Sequence, residues 1–293
     1  MRIFALELNN DIKGIDQRKK YIVSLIAKLE APDLVVLPEL SICSYMGNEN
    51  IWEYADENSQ MTSQWAMEVA RKYSTYIAVG FLEKCEGDYY NSYLIADHSN
   101  VYGIVRKSEG ESFIFKRGDF KNIIVTPFGE VGVGICYDAR RKHFYDNIKD
   151  HRIVLILFPH GSPNNPNDDI SERKTNDYFC SAYERAFDVP VVYVNSTGKM
   201  DYMLGRTGKM MMDAGFQLNG LSKIYSSRGT SIESDVFEAT GLNLELMSKE
   251  RKQDIKFYGN DINKGNLLFR NFIIKPDIKA GVKFYEKMKN QVY

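Results

Sequence analysis

Three polar side chains each stand at the end of a short apolar run. Glu39 follows Leu34-Val35-Val36-Leu37 and Pro38, Lys107 follows residues 101–105 and Arg106, and Cys136 follows residues 131–135. A carboxylate at a partly buried strand end suits a general base with a raised pKa. A fixed cation suits stabilisation of a developing oxyanion. A thiol is a nucleophile once a base activates it. Taken singly, each has a blander meaning: an exposed acid, two solvated cations at Arg106-Lys107, and an inert buried thiol. Their shared design is what singles them out, because a rigid sheet can aim all three side chains into one pocket.

The elements that must hold them read as alternating strands and helices. Residues 2–8 suit a first strand. Residues 15–29 suit a helix, with apolar positions at Ile15, Ile22, Leu25, Ile26 and Leu29. A second helix is expected over 63–73. Strands are expected at 76–81, 92–96, 101–105, 123–125, 131–135 and 152–158. A long helix spans 171–187, and residues 189–194 and 207–212 continue the sheet pattern. Turn signals at Gly87-Asp88, His98-Ser99-Asn100 and Pro127-Phe128-Gly129 separate the strands. This mixture favours a layered α/β domain with mixed sheets. The run after the 152–158 strand, with His160, Gly161, Asn164 and Asn165, lies where loops line pockets. The segment 265–293 has no clear place in a sheet.

In order and setting, Glu39, Lys107 and Cys136 resemble the catalytic Glu-Lys-Cys set of the nitrilase, or carbon–nitrogen hydrolase, superfamily. The settings are Leu-Pro-Glu-Leu, Arg-Lys and Gly-Ile-Cys-Tyr-Asp-Ala-Arg. Tyr90-Asn91-Ser92, Phe115-Lys116-Arg117-Gly118-Asp119 and Thr126-Pro127-Phe128-Gly129 add similarity upstream of the cysteine. Arg185-Ala186-Phe187-Asp188, the strand that follows it and a late hairpin over 208–215 add similarity downstream. The resemblance implies a four-layer αββα sandwich of two mixed β-sheets over residues 1–264, with 265–293 as a tail on the domain or on a partner subunit.

It also implies a mechanism. Glu39 would take the thiol proton, Cys136 would attack a carbonyl carbon bonded to nitrogen, and Lys107 with the Tyr137 N–H would hold the oxyanion. Glu111 corresponds to a second, supporting glutamate. The family continues its lysine segment as Lys-x-His-Leu, whereas this chain reads Lys107-Ser108-Glu109-Gly110-Glu111, so Lys116 stays open as the alternative cation. Arg141-Lys142-His143-Phe144 replaces the family's Phe-Pro-Glu and reads as a solvated helix start or, alternatively, as a basic cluster that favours a carboxylate-bearing substrate. The activity so implied is cofactor-free hydrolysis of a linear amide or N-carbamoyl compound through a thioester, with nitrile hydrolysis or acyl transfer as relatives of it. Paired subunits are the family habit.

Composition bounds the rest. The 293 residues carry a net charge of −1 with 44% hydrophobic residues, which leaves no basic footprint for nucleic acid. No apolar run reaches membrane-spanning length. Four separated cysteines without a Cys-x-x-Cys pair point to a reducing, cytoplasmic setting and no metal site. Gly132-Val133-Gly134 lacks the third glycine of a dinucleotide fingerprint. Two rival readings stand beside the hydrolase: a Cys-His enzyme pairing Cys136 with His160, and a binding protein that keeps the fold.

Overall fold

In a computed structural model describing residues 1–265 and 267–291, strands at 2–6, 34–36 and 76–85 lie side by side and parallel. The middle strand, Leu34–Val36, is buried throughout because it has neighbours on both sides and packed layers on both faces. Antiparallel strands extend this sheet on both sides, Asp88–Ala96 and Val101–Arg106 on one and Ala239–Asn243 and Thr230–Ile232 on the other. A second mixed sheet runs through Lys223–Tyr225, Val191–Val194, Ile153–Pro159, Gly129–Val133 and Ile123–Thr126. Among the described residues the two sheets have eight and five strands.

Alternation along the strands sorts the side chains into layers. Ile3, Ala5, Leu34, Val36 and Ala78 face Val131, Val133, Leu155, Leu157 and Val192 between the sheets. Phe4, Leu6, Val35 and Ile77 face the other way, onto helices Ile15–Ile26 and Gln60–Tyr73. Ile156, Phe158, Val191 and Tyr193 face outward from the second sheet, onto helices Lys142–Ile148 and Asp169–Phe187. The layers are therefore α, β, β, α. The long helix starts at Asp168, whose carboxylate accepts the Ser171 N–H, and buries Asn176, Phe179, Cys180, Tyr183, Ala186 and Phe187 at helical spacing. Among the described residues no helix is long and apolar enough to cross a membrane.

One region departs from expectation. Residues 207–212 are not strand, and no hairpin spans 208–215. A helix, Gly205–Asp213, occupies that place. Leu204 cannot cap it. The Arg206 and Thr207 N–H groups donate instead to the two carboxylate oxygens of Asp277, at 2.9 Å each. The methionine run at 210–212 is unbranched and helix-compatible once those donors are satisfied.

The tail, expected on the domain or on a partner subunit, is helical. Helical segments Leu267–Phe269, Arg270–Ile274 and Lys275–Met288 follow one another. The middle one is wound as a π-helix, just ahead of Pro276, whose ring removes an N–H and crowds the preceding turn. The tail packs on its own domain. Tyr285 donates to Asp88 at 3.0 Å and accepts from the Tyr89 N–H at 2.8 Å, and Lys289 pairs with Asp88 at 2.7 Å. Gly281 permits the approach, since a Cβ there would lie 2.2 Å from Ser112 Oγ.

Candidate active site

Glu39 is placed by the strand Leu34–Val36 and by what lies against it. Leu37 N donates to Ala78 O at 2.9 Å, which carries the parallel pairing one residue beyond the strand. Gly80 then lets the neighbouring strand touch the Pro38–Leu40 turn, where a Cβ would sit 2.6 Å from Pro38 O and Leu40 N. Arg18, fully buried, donates to Ser41 O at 2.8 Å and holds the exit of that turn. Lys107 follows Val101–Arg106, and its N–H continues the ladder to Asn91 O at 2.8 Å. Cys136 follows Gly129–Val133 and opens a 3₁₀ turn, Cys136–Arg140, with φ of 50°. That left-handed backbone is uncommon for a residue with a Cβ, and it ends the strand abruptly.

These strand ends converge. Lys107 Nζ donates to Glu39 Oε1 at 2.6 Å, and both side chains are almost wholly buried. Asn91 Nδ2 donates to the same oxygen at 2.6 Å, and the Gly161 N–H donates to Oε2 at 2.6 Å. A carboxylate offers about four acceptor positions. Three are filled, and the open one is on Oε2. Lys107 also donates to Glu111 Oε1 at 3.0 Å, and Tyr45 OH donates to that oxygen at 3.0 Å. Lys107 also reaches Glu111 Oε2 at 3.3 Å, so its three N–H donors all meet carboxylate oxygens, the third at the longest distance.

The electrostatics follow from burial and crowding. Burial raises the Glu39 carboxyl above its ordinary value, Lys107 opposes that, and Glu111 adds to it. Burial, and then the Glu39 charge, push the Cys136 thiol well up, against the pull of Lys107. Burial works against a charged Lys107, yet its interactions with Cys136, Glu111 and Glu39 outweigh it and hold the ammonium well above the ordinary lysine value.

A cavity of about 300 Å³ opens over this floor. Glu111, Cys136, Tyr137, His160 and Gly161 all line it, together with Tyr45. Tyr137 is anchored by its hydroxyl, which donates to Asp261 at 2.9 Å. Gly161 must be glycine, because a Cβ would meet Tyr45 at 2.5 Å. His160 is buried, its Nδ1 lies 2.9 Å from Phe158 O, and burial depresses it to about 3. Asn164 lies outside the cavity. It pairs with Gln217 in a small sheet and donates to Asp168 O at 3.3 Å, while Ser162 and Pro163 take the lining positions. Lys116 is also elsewhere, on Asp88 at 2.5 Å. Cys43 is packed in the core. Arg141 is not solvated: it is buried between Glu109 at 3.3 Å and Asp261 at 3.6 Å. Among the described residues no group of three or more His, Cys, Asp or Glu is placed to hold a metal ion.

Sequence reasoning passed over Tyr45, the role of Asn91, and Asp138. Asp138 is buried and accepts the N–H groups of Ser108 at 2.8 Å and Glu109 at 2.7 Å, which ties the lysine loop to the cysteine turn. Burial raises it to about 7. Its position two residues after the thiol was the available signal.

Comparison with known proteins bears on the family and the fold. Over 147 residues the chain is 31% identical to a nitrilase of Pyrococcus abyssi, a stretch covering 47% of this chain and 56% of that protein. It is 27% identical over 222 residues to a probable nitrilase of Schizosaccharomyces pombe, covering 69% and 78%. An omega-amidase of Xenopus laevis is 26% identical over 149 residues, covering 45% and 53%. The chain thus spans little more than half the length of the first and third of these relatives. In fold it is similar to a carbon-nitrogen hydrolase from Helicobacter pylori, with a TM-score of 0.66, 18% identity and coverage of 83% and 88%. The carbon-nitrogen hydrolase family model matches residues 8–242, and the chain belongs to that family, within the nitrilase superfamily.

Proposed function

We propose that the chain is an amidase that releases ammonia from a linear amide or an N-carbamoyl compound by way of a thioester on Cys136. The observation that carries this reading is the buried Glu39–Lys107 contact of 2.6 Å beneath a cavity that Cys136 lines. A base, a cation and a thiol in one enclosed place are what acyl transfer needs.

The steps use the free valences of the site. The open position on Glu39 Oε2 takes the proton from the Cys136 thiol. Sγ bonds to the carbonyl carbon, and the carbonyl electron pair moves to oxygen. The Lys107 N–H on the long Glu111 Oε2 contact turns to the substrate and, with the Tyr137 backbone N–H, stabilises that oxyanion. Collapse of the intermediate expels the nitrogen, which takes the proton back from Glu39 and leaves as ammonia. Water then attacks the thioester and gives its proton to Glu39. The acid departs as the thiol is restored. The raised carboxyl of Glu39 suits both proton transfers. Glu111 holds Lys107 from the other side and does not meet the proton in transit.

The Cys-His alternative is disfavoured because burial depresses His160 to about 3, which leaves its imidazole too weak a base to take a thiol proton. The test is mass spectrometry of the intact protein quenched during turnover of primary amides and N-carbamoyl amino acids, together with ammonia release. The expected result is an acyl mass on Cys136, lost in Cys136→Ala. If turnover proceeds with no adduct and survives alkylation of Cys136, the proposal fails.

A further inference from the structure

We infer that the tail selects the substrate: Ile274 and Ile278, with Phe113, Met203, Leu204 and Met211, form an apolar wall that accepts an uncharged aliphatic or aromatic acyl group on a primary amide. This rests on the amidase reading and narrows it.

The wall is built from two parts. Met203, Leu204 and Met211 come from the helix Gly205–Asp213 and the residues leading into it, and Ile274 and Ile278 come from the tail. Phe113 joins them, 5.7 Å between ring centroids from Phe284 on the tail's inner side. The family match ends at residue 242, so the tail side of the wall lies outside the part of the chain shared with the family. Asp277 brings a carboxylate to the same cavity, but both its oxygens accept helix N–H groups at 2.9 Å. Its charge faces the positive end of that helix rather than a ligand. Arg140, the cation on the rim, is directed to Asp261 at 3.6 Å and to the Tyr137 ring.

The floor settles which half of the substrate meets this wall. Glu39 must protonate the leaving nitrogen, yet it is 1% exposed and has one acceptor position open. Only a small leaving group reaches it, so the nitrogen leaves as ammonia. The bulk of the substrate then extends from the carbonyl carbon towards the mouth of the cavity, against the six apolar side chains. A carboxylate set against those six side chains would lose its hydration and find no polar partner among them.

The experiment measures ammonia release by the full chain from unbranched primary amides of rising length and from monoamides of dicarboxylic acids of matched length. Buried methylenes predict a rise in kcat/KM of about fourfold each until the cavity is full. The matched carboxylates should be at least about tenfold poorer. Ile278 is 44% exposed, so Ile278→Lys is compatible with folding. It should flatten the length profile and improve the carboxylate amides relative to the neutral ones, a reversal that a loss of folded enzyme cannot produce. An acyl adduct on Cys136 with a flat length profile, or with preference for carboxylate amides in the unaltered chain, overturns the wall and leaves the amidase reading intact. Absence of any acyl adduct from every amide overturns both.

Discussion

At the floor of the cavity, charged groups stand on strand ends and fill one another's valences almost completely. Glu39 has three of its acceptor positions occupied, and Lys107 touches two carboxylates. At the outer wall, methionine and leucine side chains come from a helix, capped by a residue 70 positions away, and from the residues leading into it, and isoleucines come from the tail. The floor is rigid and directional, because hydrogen bonds fix angles and buried charge tolerates no slack. The wall is apolar and adaptable, because dispersion contacts and unbranched methionines can re-pack. If chemistry lies in the first region and selection in the second, as proposed, changes in the two should separate kcat from KM.

The largest expected effect is at the floor. Cys136→Ala should lower kcat by on the order of 10⁶, and Glu39→Gln should approach it, because the groups act as a unit. Both variants should keep the circular dichroism of the parent, and a residual rate within tenfold of the parent would break the assignment. Lys107→Met should follow with a loss of about 10²–10³ in kcat from the missing oxyanion donor. Lys116→Met is the matched control. Its ion pair with Asp88 is solvent-exposed on the lysine side, and turnover should stay within about twofold.

At the wall the effect is smaller and of another kind. Asp277→Ala uncaps the helix Gly205–Asp213, at about 1 kcal/mol or a Tm lower by about 2–4 °C. It should raise KM several-fold with kcat nearly unchanged. A fall in kcat without a change in KM would join the two regions that the comparison divides.

The smallest effect is a slope. Burial raises Asp138 to about 7 in the folded chain, from an ordinary value of 3.8. The folded state therefore favours its protonated form. That contribution to stability is complete below pH 3.8 and is lost as pH rises through about 7. Asp138→Asn cannot ionise, so the Tm difference between variant and parent should move in the variant's favour between pH 4 and pH 8. A constant difference across that window would mean that Asp138 stays ionised throughout.

The same division governs how much of the molecule could be read beforehand. The strands ending at Glu39, Lys107 and Cys136 were legible because buried strands are continuous apolar runs and polar side chains mark their ends. Gly161 and His160 were legible as the end of the next strand. Asn164 was placed one step too far, because the chain re-pairs at Pro163–Asn164 before the long helix begins. The helix Gly205–Asp213 was not legible. Its cap is Asp277, and no local residue announces its start. The tail's place on the domain depends on Gly281 and on Asp88, and neither carries a periodic signal. Tyr45 and Asn91 were missed for a similar reason: each acts through a hydrogen bond to a residue at least 50 positions away.

The Asp277 cap has a consequence for the order in which the molecule is made. Chains emerge from the ribosome N-terminus first and fold in that direction as they lengthen. Glu39, Lys107 and Cys136 are all synthesised well before the residue that closes Arg206 and Thr207. A nascent chain can thus assemble its reactive centre while one side of the cavity is still open to solvent. If the tail selects the substrate as proposed, selectivity arrives only with residues 274–278, and a chain stalled earlier carries Cys136, Glu39 and Lys107 without that wall.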